Sequence, residues 1–130
     1  MRTIKFRGKT KKGEWVTGNY LGRTSPNEAA ILPSQNIHYD IDYINDSKCC
    51  YCIADTIGQF IGLHDSNGKE IYEGDILDIN GLKIEIRFVR GVFAFLCNGD
   101  LDKELCGDCR TDLFAKIIGN IHDNPELLKK

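Results

Sequence analysis

The sequence predicts a mainly β protein that folds as a small barrel, with N-terminal β-hairpin strands and a short C-terminal helical turn. Apolar and polar residues alternate with period two in most readable segments. Turn-forming pairs such as Asn-Gly separate these segments, and only the last few residues show a helix signal. Many short strands joined by tight turns are typical of small barrels.

The N-terminal region predicts a hairpin followed by a less regular segment. Ile4 and Phe6 alternate with polar neighbours, a polar turn follows over 9–13, and a second strand lies within 14–21. Beyond residue 22 the pattern predicts a short strand over 29–33. Another alternating strand over 37–43 places His38 on a solvated face.

Residues 76–97 predict a three-stranded meander. Two glycine-containing turns, at 80–81 and 90–91, fix its register. With both turns in place, apolar residues oppose apolar residues on one face throughout, which makes Cys97 a small core residue. The predicted pairs are Ile79 with Leu82, Leu77 with Ile84, Phe88 with Phe93, Ile86 with Phe95, and Ile84 with Cys97.

The end of the chain predicts a loop, a strand and a helical turn. Residues 98–112 are polar and rich in Asp and Gly, which indicates an exposed loop, and 113–121 return as a final strand. Asn124 is placed to cap a short helix that has Pro125 in its first position.

The composition fits one compact domain of 130 residues, with 42% hydrophobic and 28% charged residues. This balance excludes disorder of the whole chain. The longest apolar runs are only a few residues, so no membrane span is expected, and the first residues lack the apolar segment of a secretory signal. We therefore expect a cytoplasmic protein without a membrane partner.

Residues 65–76 begin like a calcium-binding loop but lack its later ligands. If Asp65 is position 1, then Lys69 stands at position 5, Glu70 at position 6 and Ile76 at position 12. An EF-hand needs an oxygen ligand, a glycine and a bidentate glutamate at those positions. The segment instead predicts an Asn67-Gly68 turn and a second turn at 73–74.

Three segments resemble the YopX family of phage and prophage proteins. They are "KFRGKTKKGEWVTGNYL" at 5–21, "TIGQFIGLHDSNGKEIYEGDIL" at 56–77 and "IIGNIHDNPELL" at 117–128. The resemblance implies a single domain over 1–130, with N-terminal strands and a variable loop over 1–50 and an SH3-like barrel over 55–128. It implies no enzymatic activity, catalytic residue or cofactor.

The charge is distributed unevenly along the chain. Residues 1–23 hold seven basic residues and one acidic residue, a net charge of +6, whereas the remaining residues carry −8. A basic hairpin that carries aromatic rings could bind nucleic acid, but it could also meet the acidic surface of a second copy or form a solvated turn. The candidate nucleic-acid-binding residues are Arg7, Lys9, Lys11, Lys12, Trp15 and Tyr20.

The six cysteines leave two alternatives open. Cys106 and Cys109 have the C-x-x-C spacing of a zinc site, and Cys50 and Cys52 would point to one face of a strand and supply two more ligands. Unliganded thiols are the other interpretation. No Ser/His/Asp or Cys/His arrangement indicates catalysis. The sequence thus predicts a non-enzymatic interaction module without a cofactor, whose partner is a host or phage protein, nucleic acid or a second copy.

Overall fold

The strands of this protein form two antiparallel sheets in a computed structural model that describes residues 4–33, 49–105 and 110–128. The mainly β prediction is confirmed. The predicted strand over 37–43, with His38, lies outside the described residues. One sheet has six strands, in the order β4 (Cys50–Ile53), β3 (Glu28–Pro33), β2 (Trp15–Ser25), β1 (Phe6–Lys9), β5 (Gly58–His64) and β6 (Glu70–Tyr72). The other has four, in the order β10 (Ala115–Asn120), β7 (Asp75–Ile79), β8 (Leu82–Val89) and β9 (Val92–Cys97).

The chain divides into two compact units, Met1–Gln59 and Phe60–Lys130, and the single-domain organisation stays a prediction. In the first unit, an isolated bridge between Thr10 and Cys52 joins the first hairpin to β4. The elements up to the boundary are β1 (Phe6–Lys9), β2 (Trp15–Ser25), β3 (Glu28–Pro33), β4 (Cys50–Ile53), a 3-10 turn (Ala54–Thr56) and β5 (Gly58–His64), which runs across it.

The predicted N-terminal hairpin is confirmed. Strands β1 and β2 pair from Phe6 opposite Gly18 to Lys9 opposite Trp15. The connecting turn is closed by backbone bonds from Thr10 N–H to the Glu14 carbonyl and from Gly13 N–H to the Thr10 carbonyl, both 2.9 Å. The polar turn residues thus satisfy their own backbone groups locally.

The second unit contains the meander and the returning strand. Its core is a cluster of buried residues from β5 to β10, against which half-buried Cys97 packs, as predicted. The cluster consists of Ile61, Ile71, Leu77, Ile84, Ile86 and Ala115. The elements are β6 (Glu70–Tyr72), β7 (Asp75–Ile79), β8 (Leu82–Val89), β9 (Val92–Cys97), α1 (Thr111–Phe114), β10 (Ala115–Asn120) and a 3-10 turn (Pro125–Leu128).

The meander has the predicted register at every predicted pair. Its turns use left-handed backbone conformations, with φ of 54° at Asn80 and 89° at Gly81, and 50° at Arg90 and 83° at Gly91. Positive φ at both central residues is the type I′ geometry, whose twist matches that of the flanking strands. The local turn signal and the apolar pattern therefore specify the same sheet.

The described strands do not close into the small barrel that the sequence predicts. In the four-stranded sheet, β9 and β10 are the two edges and are not neighbours, whereas a closed barrel has no edge strand. Loop backbone occupies these edges instead. Leu105 N–H donates to the Phe95 carbonyl on β9, and Ser66 N–H donates to the Ala115 carbonyl on β10, both at 2.8 Å.

Within the segment after β9, residues 98–105 and 110–114 contain more regular structure than the predicted exposed loop. Asn98 and Gly99 form a third left-handed pair, with φ of 54° and 74°, and residues 111–114 form one helical turn before β10. The short C-terminal helical turn is confirmed. The side chain of Asn124, which was predicted to cap this turn, accepts a hydrogen bond from Asn120 N–H. No helix within the described ranges is long and apolar enough to cross a membrane.

Gly81→Val tests the first turn of the meander. A β-branched residue at φ of 89° is strained, so we expect the free energy of unfolding to fall by about 2 kcal/mol. Urea denaturation measures it. Asn80→Gly is the matched control because glycine adopts positive φ without strain. Equal midpoints for the two variants would contradict the turn assignment.

Candidate functional site

The first hairpin brings two basic residues and the tryptophan to one face of the sheet. Arg7 lies opposite Thr17 and Lys9 lies opposite Trp15 in the β1–β2 register. Directly opposed residues of antiparallel strands share a face, and residues two apart along a strand do so as well. Arg7, Lys9 and Trp15 are therefore neighbours on one surface, as a combined charge and stacking surface requires.

Arg7 and Trp15 are in direct contact. The guanidinium carbon of Arg7 lies 4.7 Å from the centre of the Trp15 ring, which is within cation–π distance. The Nε and Nη2 atoms of Arg7 are shielded from solvent. The contact therefore holds the guanidinium close to the sheet.

Tyr20 lies on the other face of the hairpin. It is an even number of residues from Gly18, which is opposite Phe6, and its ring centre lies 5.3 Å from that of Phe6. The predicted set of six residues is thus divided between two faces. The parity of the strand positions, odd for Trp15 and even for Tyr20, is the sequence signal that would have separated them.

Lys11 and Lys12 occupy the exposed turn that connects the two strands. The Lys11 side chain is 78% exposed, and its Nζ lies 3.7 Å from Glu28 Oε2. A solvated pair of this kind contributes little to stability, so Lys11 can exchange this partner for another anion. We call Arg7, Lys9, Lys11, Lys12 and Trp15 the basic hairpin surface.

The face of β1 opposite to Arg7 and Lys9 is held by close packing at Gly8, which the sequence did not predict. A Cβ atom on Gly8 would lie 2.7 Å from Ile57 Cδ1 and 2.9 Å from Cys52 Sγ, so only glycine fits there without displacing them. The backbone N–H of Lys9 donates to Thr56 Oγ1 at 2.9 Å. Both contacts join residues distant in sequence, and together they hold the strand that carries Arg7 and Lys9.

Comparison with known proteins places the chain in a family. The YopX family, described as "YopX protein", matches residues 5–129. The chain belongs to the YopX family. It is also similar to a solved structure, the crystal structure of protein EF1440 from Enterococcus faecalis, with 27% identity and a TM-score of 0.62 over 99% of this chain and 100% of that one. No curated protein matches it significantly.

The cysteines of this YopX protein are only partly placed. Cys50 and Cys52 are two residues apart on β4 and therefore share a face. Cys106 and Cys109 lie outside the described residues. Burial, and then the charge of a Cys50 thiolate, raise the pKa of Cys52 to about 11, which favours the neutral thiol. Within the described ranges no three His, Cys, Asp or Glu residues are arranged to hold a metal. The zinc site stays a prediction.

The buried carboxylates of this YopX protein make structural hydrogen bonds. Asp75 Oδ2 accepts the backbone N–H of Tyr72 at 2.8 Å and closes the turn before β7. Glu85 accepts two bonds from Arg87, at 3.0 Å and 2.8 Å, and this hydrogen bonding raises the pKa of Arg87. Asp65 accepts three backbone N–H groups. The three buried carboxylates thus have structural roles, Asp65 and Asp75 at turns and Glu85 on the meander.

Proposed function

We propose that this YopX protein is a non-enzymatic accessory protein of a phage or prophage, and that it acts as an interaction module in the cytoplasm of the bacterial host. Its contact surface is the basic hairpin surface, and its partner is anionic. The phage setting comes from the family resemblance. The observation that carries the proposal is the β1–β2 register, which groups Arg7, Lys9 and Trp15 on one face beside the exposed lysine turn.

The charge balance supports an anionic partner. The chain as a whole has a net charge of −2, so the cationic hairpin is a local departure from an acidic protein. Such a concentration of one sign attracts an oppositely charged partner and orients it on approach. The position of the hairpin is also fixed by two contacts. The backbone N–H of Lys9 donates to Thr56 Oγ1, and Gly8 packs against Cys52. A surface that is already ordered loses less entropy on binding.

The hydrogen bonds made by the buried acidic side chains favour a binding function over an enzymatic one. Catalytic carboxylates usually face a cleft with a perturbed pKa suited to proton transfer. Here Asp65, Asp75 and Glu85 are engaged with backbone N–H groups or with Arg87. Their hydrogen-bonding capacity serves the turns and the meander.

For the second unit we propose the SH3-like arrangement implied by the family resemblance. A three-stranded meander, β7-β8-β9, is followed by a single helical turn and by β10, which returns beside β7. This order of elements is the one an SH3-like fold uses. Such small β folds commonly serve as binding modules that carry unrelated functions.

Retention on immobilised heparin, a polyanion, tests the proposed contact surface. We expect the wild-type protein to bind at low salt and to elute at a higher salt concentration than a variant with Lys9, Lys11 and Lys12 changed to Ala. The physical reason is that each lysine that binds the polyanion releases counterions from it. The elution conductivity is the measured quantity.

The matched control changes Lys83, Lys103 and Lys116 to Ala. These three lysines are exposed in the second unit, and their replacement alters the net charge by the same amount. The control should elute close to the wild-type protein. Equal elution of both triple variants would show that net charge alone sets retention and would contradict the proposal. Concentration-dependent self-association that the hairpin variant abolishes would identify a second copy as the partner.

A further inference from the structure

We propose that Asn80 is a site of spontaneous deamidation, and that Asp78 sets the rate by holding the backbone N–H of Gly81. The site belongs to the second unit and is independent of the basic hairpin surface. Asparagine followed by glycine is especially prone to this reaction, because glycine has no side chain to obstruct attack by its own backbone nitrogen. The chain has three such pairs, at 67–68, 80–81 and 98–99.

The reaction converts the side-chain amide into a carboxyl group in two steps. The backbone nitrogen of Gly81 loses its proton to solvent and bonds to Cγ of Asn80. The bond from Cγ to the amide nitrogen breaks, and that nitrogen takes up a proton and leaves as ammonia. Water then adds to either carbonyl carbon of the resulting succinimide and opens the ring to aspartate or isoaspartate. The first step needs a glycine nitrogen that is released from its hydrogen bond, so local opening of the turn controls the rate.

The N–H of Gly81 is held by one side chain. It donates to Asp78 Oδ1 at 2.9 Å, and this hydrogen bond is exposed to solvent. Asn80 and Gly81 are themselves exposed, and no atom lies within 4 Å of a Cβ atom built on Gly81. Release of the nitrogen therefore breaks one solvated hydrogen bond and displaces no group packed against this glycine.

The turn at Asn67 is held by more hydrogen bonds. Gly68 N–H donates to the Asp65 carbonyl at 3.0 Å, and Asp65 N–H donates to the Lys69 carbonyl at 2.8 Å. The Asp65 carboxylate also accepts the N–H groups of Asn67 and Lys69, both at 2.9 Å. Opening this turn breaks several bonds, two of them to a charged acceptor, so we expect it to open more rarely than the turn at 80–81.

The pair at Asn98 is held by packing. Gly99 N–H donates to the Leu96 carbonyl at 3.2 Å. A Cβ atom on Gly99 would lie 2.7 Å from Glu85 Oε1 and 3.4 Å from Leu128 Cδ1, so the backbone is close to both side chains. Movement of this glycine disturbs neighbours that are remote in sequence, which also makes opening rarer than at 80–81.

Peptide mapping of one protein sample compares the three pairs directly. The folded protein and the protein unfolded in guanidinium chloride are incubated in mildly alkaline buffer, and tandem mass spectrometry gives the fraction of each asparagine that is converted. We expect similar rates at the three pairs in the unfolded chain, and the fastest conversion at Asn80 in the folded protein. Faster conversion at Asn67 or Asn98 in the folded protein would overturn the proposal. No detectable conversion at Asn80 by the time that the unfolded chain is fully converted would also overturn it.

Two variants test the role of Asp78. Asp78→Ala removes the acceptor of Gly81 N–H, so we expect conversion of Asn80 in the folded protein to become about fivefold faster, as the loss of one hydrogen bond predicts. The rates at the other two pairs should stay as in the wild-type protein. Asp55→Ala removes an exposed carboxylate of the first unit and should leave all three rates unchanged. An unchanged or slower rate at Asn80 in Asp78→Ala would contradict the role of Asp78.

Conversion of Asn80 should also destabilise the meander. Isoaspartate adds a carbon atom to the backbone of the two-residue turn between Ile79 and Leu82, and a backbone of that length no longer fits the type I′ geometry. We expect the wild-type protein to unfold at a lower urea concentration after incubation than before it. Asn80→Gly, which has no side-chain amide, should keep its midpoint under the same incubation. Equal loss of stability in the two proteins would overturn the proposal.

Discussion

Gly18→Ala is expected to destabilise the first unit more than any other single-methyl addition in β2. A Cβ atom at this position would lie 2.0 Å from the carbonyl oxygen of Leu32 and 2.9 Å from Pro33 Cα. Both are backbone atoms, so the collision is relieved only by moving β3 away from β2. We expect the free energy of unfolding to fall by about 3 kcal/mol, measured by urea denaturation.

Gly22→Ala is the matched comparison in the same strand. Gly22 has φ of +118°, and no atom lies within 4 Å of a Cβ built there, so the substitution strains the backbone without a collision. We expect a loss of about 1 kcal/mol. If the two substitutions lower stability equally, the close approach of β2 and β3 at Gly18 is wrong.

The pairing of β2 with β3 also holds the strand that carries Trp15, a residue of the proposed contact surface. Strand β2 carries Trp15 at its start and meets β3 from Gly18 onward. A displaced β3 would disturb the strand that positions Trp15 against Arg7. We therefore expect Gly18→Ala to change the Trp15 emission of the folded protein, whereas Gly22→Ala should leave it close to that of the wild-type protein.

Asp65→Ala is expected to lower the free energy of unfolding by about 3 kcal/mol at neutral pH, because it removes three hydrogen bonds to an ionised acceptor. Asp65 Oδ1 accepts the N–H groups of Asn67 and Lys69, both at 2.9 Å. Oδ2 accepts Ile117 N–H at 3.1 Å. The carboxylate thus closes its own turn and also binds β10, 52 residues away.

The stability contributed by Asp65 should depend on pH. Burial acts to raise the pKa of Asp65, but hydrogen bonds from Ile117, Lys69 and Asn67, together with the charge of Lys69, lower it below its usual range. A carboxyl group with a lowered pKa in the folded state stabilises that state above the unfolded pKa of about 3.9. The difference between wild type and Asp65→Ala should therefore be full at pH 7 and shrink as the pH falls below about 4.

Two further variants make the Asp65 result specific. Asp65→Asn retains one acceptor oxygen for the turn but directs an amide NH₂ group at the N–H of Ile117, so we expect an intermediate loss. Asp55→Ala changes an exposed carboxylate and should have little effect. A constant difference between wild type and Asp65→Ala from pH 7 to pH 3 would contradict an ionised acceptor.

Local signals in the sequence determined the meander. The pairs Asn80-Gly81 and Arg90-Gly91 favour type I′ turns, and these turns place apolar residues opposite apolar residues. Turn type and strand alternation depend on neighbouring residues, so they can be read from a short segment. The N-terminal hairpin and the C-terminal helical turn followed from the same kind of signal.

Long-range packing determines where the sheets end and which side chains share a face. The edges of the second sheet are met by loop backbone near Leu105 and Ser66, so the strands did not close into the predicted barrel. Gly8 and Gly18 look like ordinary strand glycines in the sequence, yet each is required by a partner distant in the chain. Such close approaches arise only when segments remote in sequence pack together.

The candidate site shows the same division. Composition alone shows that cations and aromatic residues concentrate in the first hairpin. Only the register and the packing decided that Trp15 lies with Arg7 and Lys9 while Tyr20 lies with Phe6 on the other face. The physical reason is that composition is a local property of the chain, whereas the pairing of strands fixes which side chains share a surface.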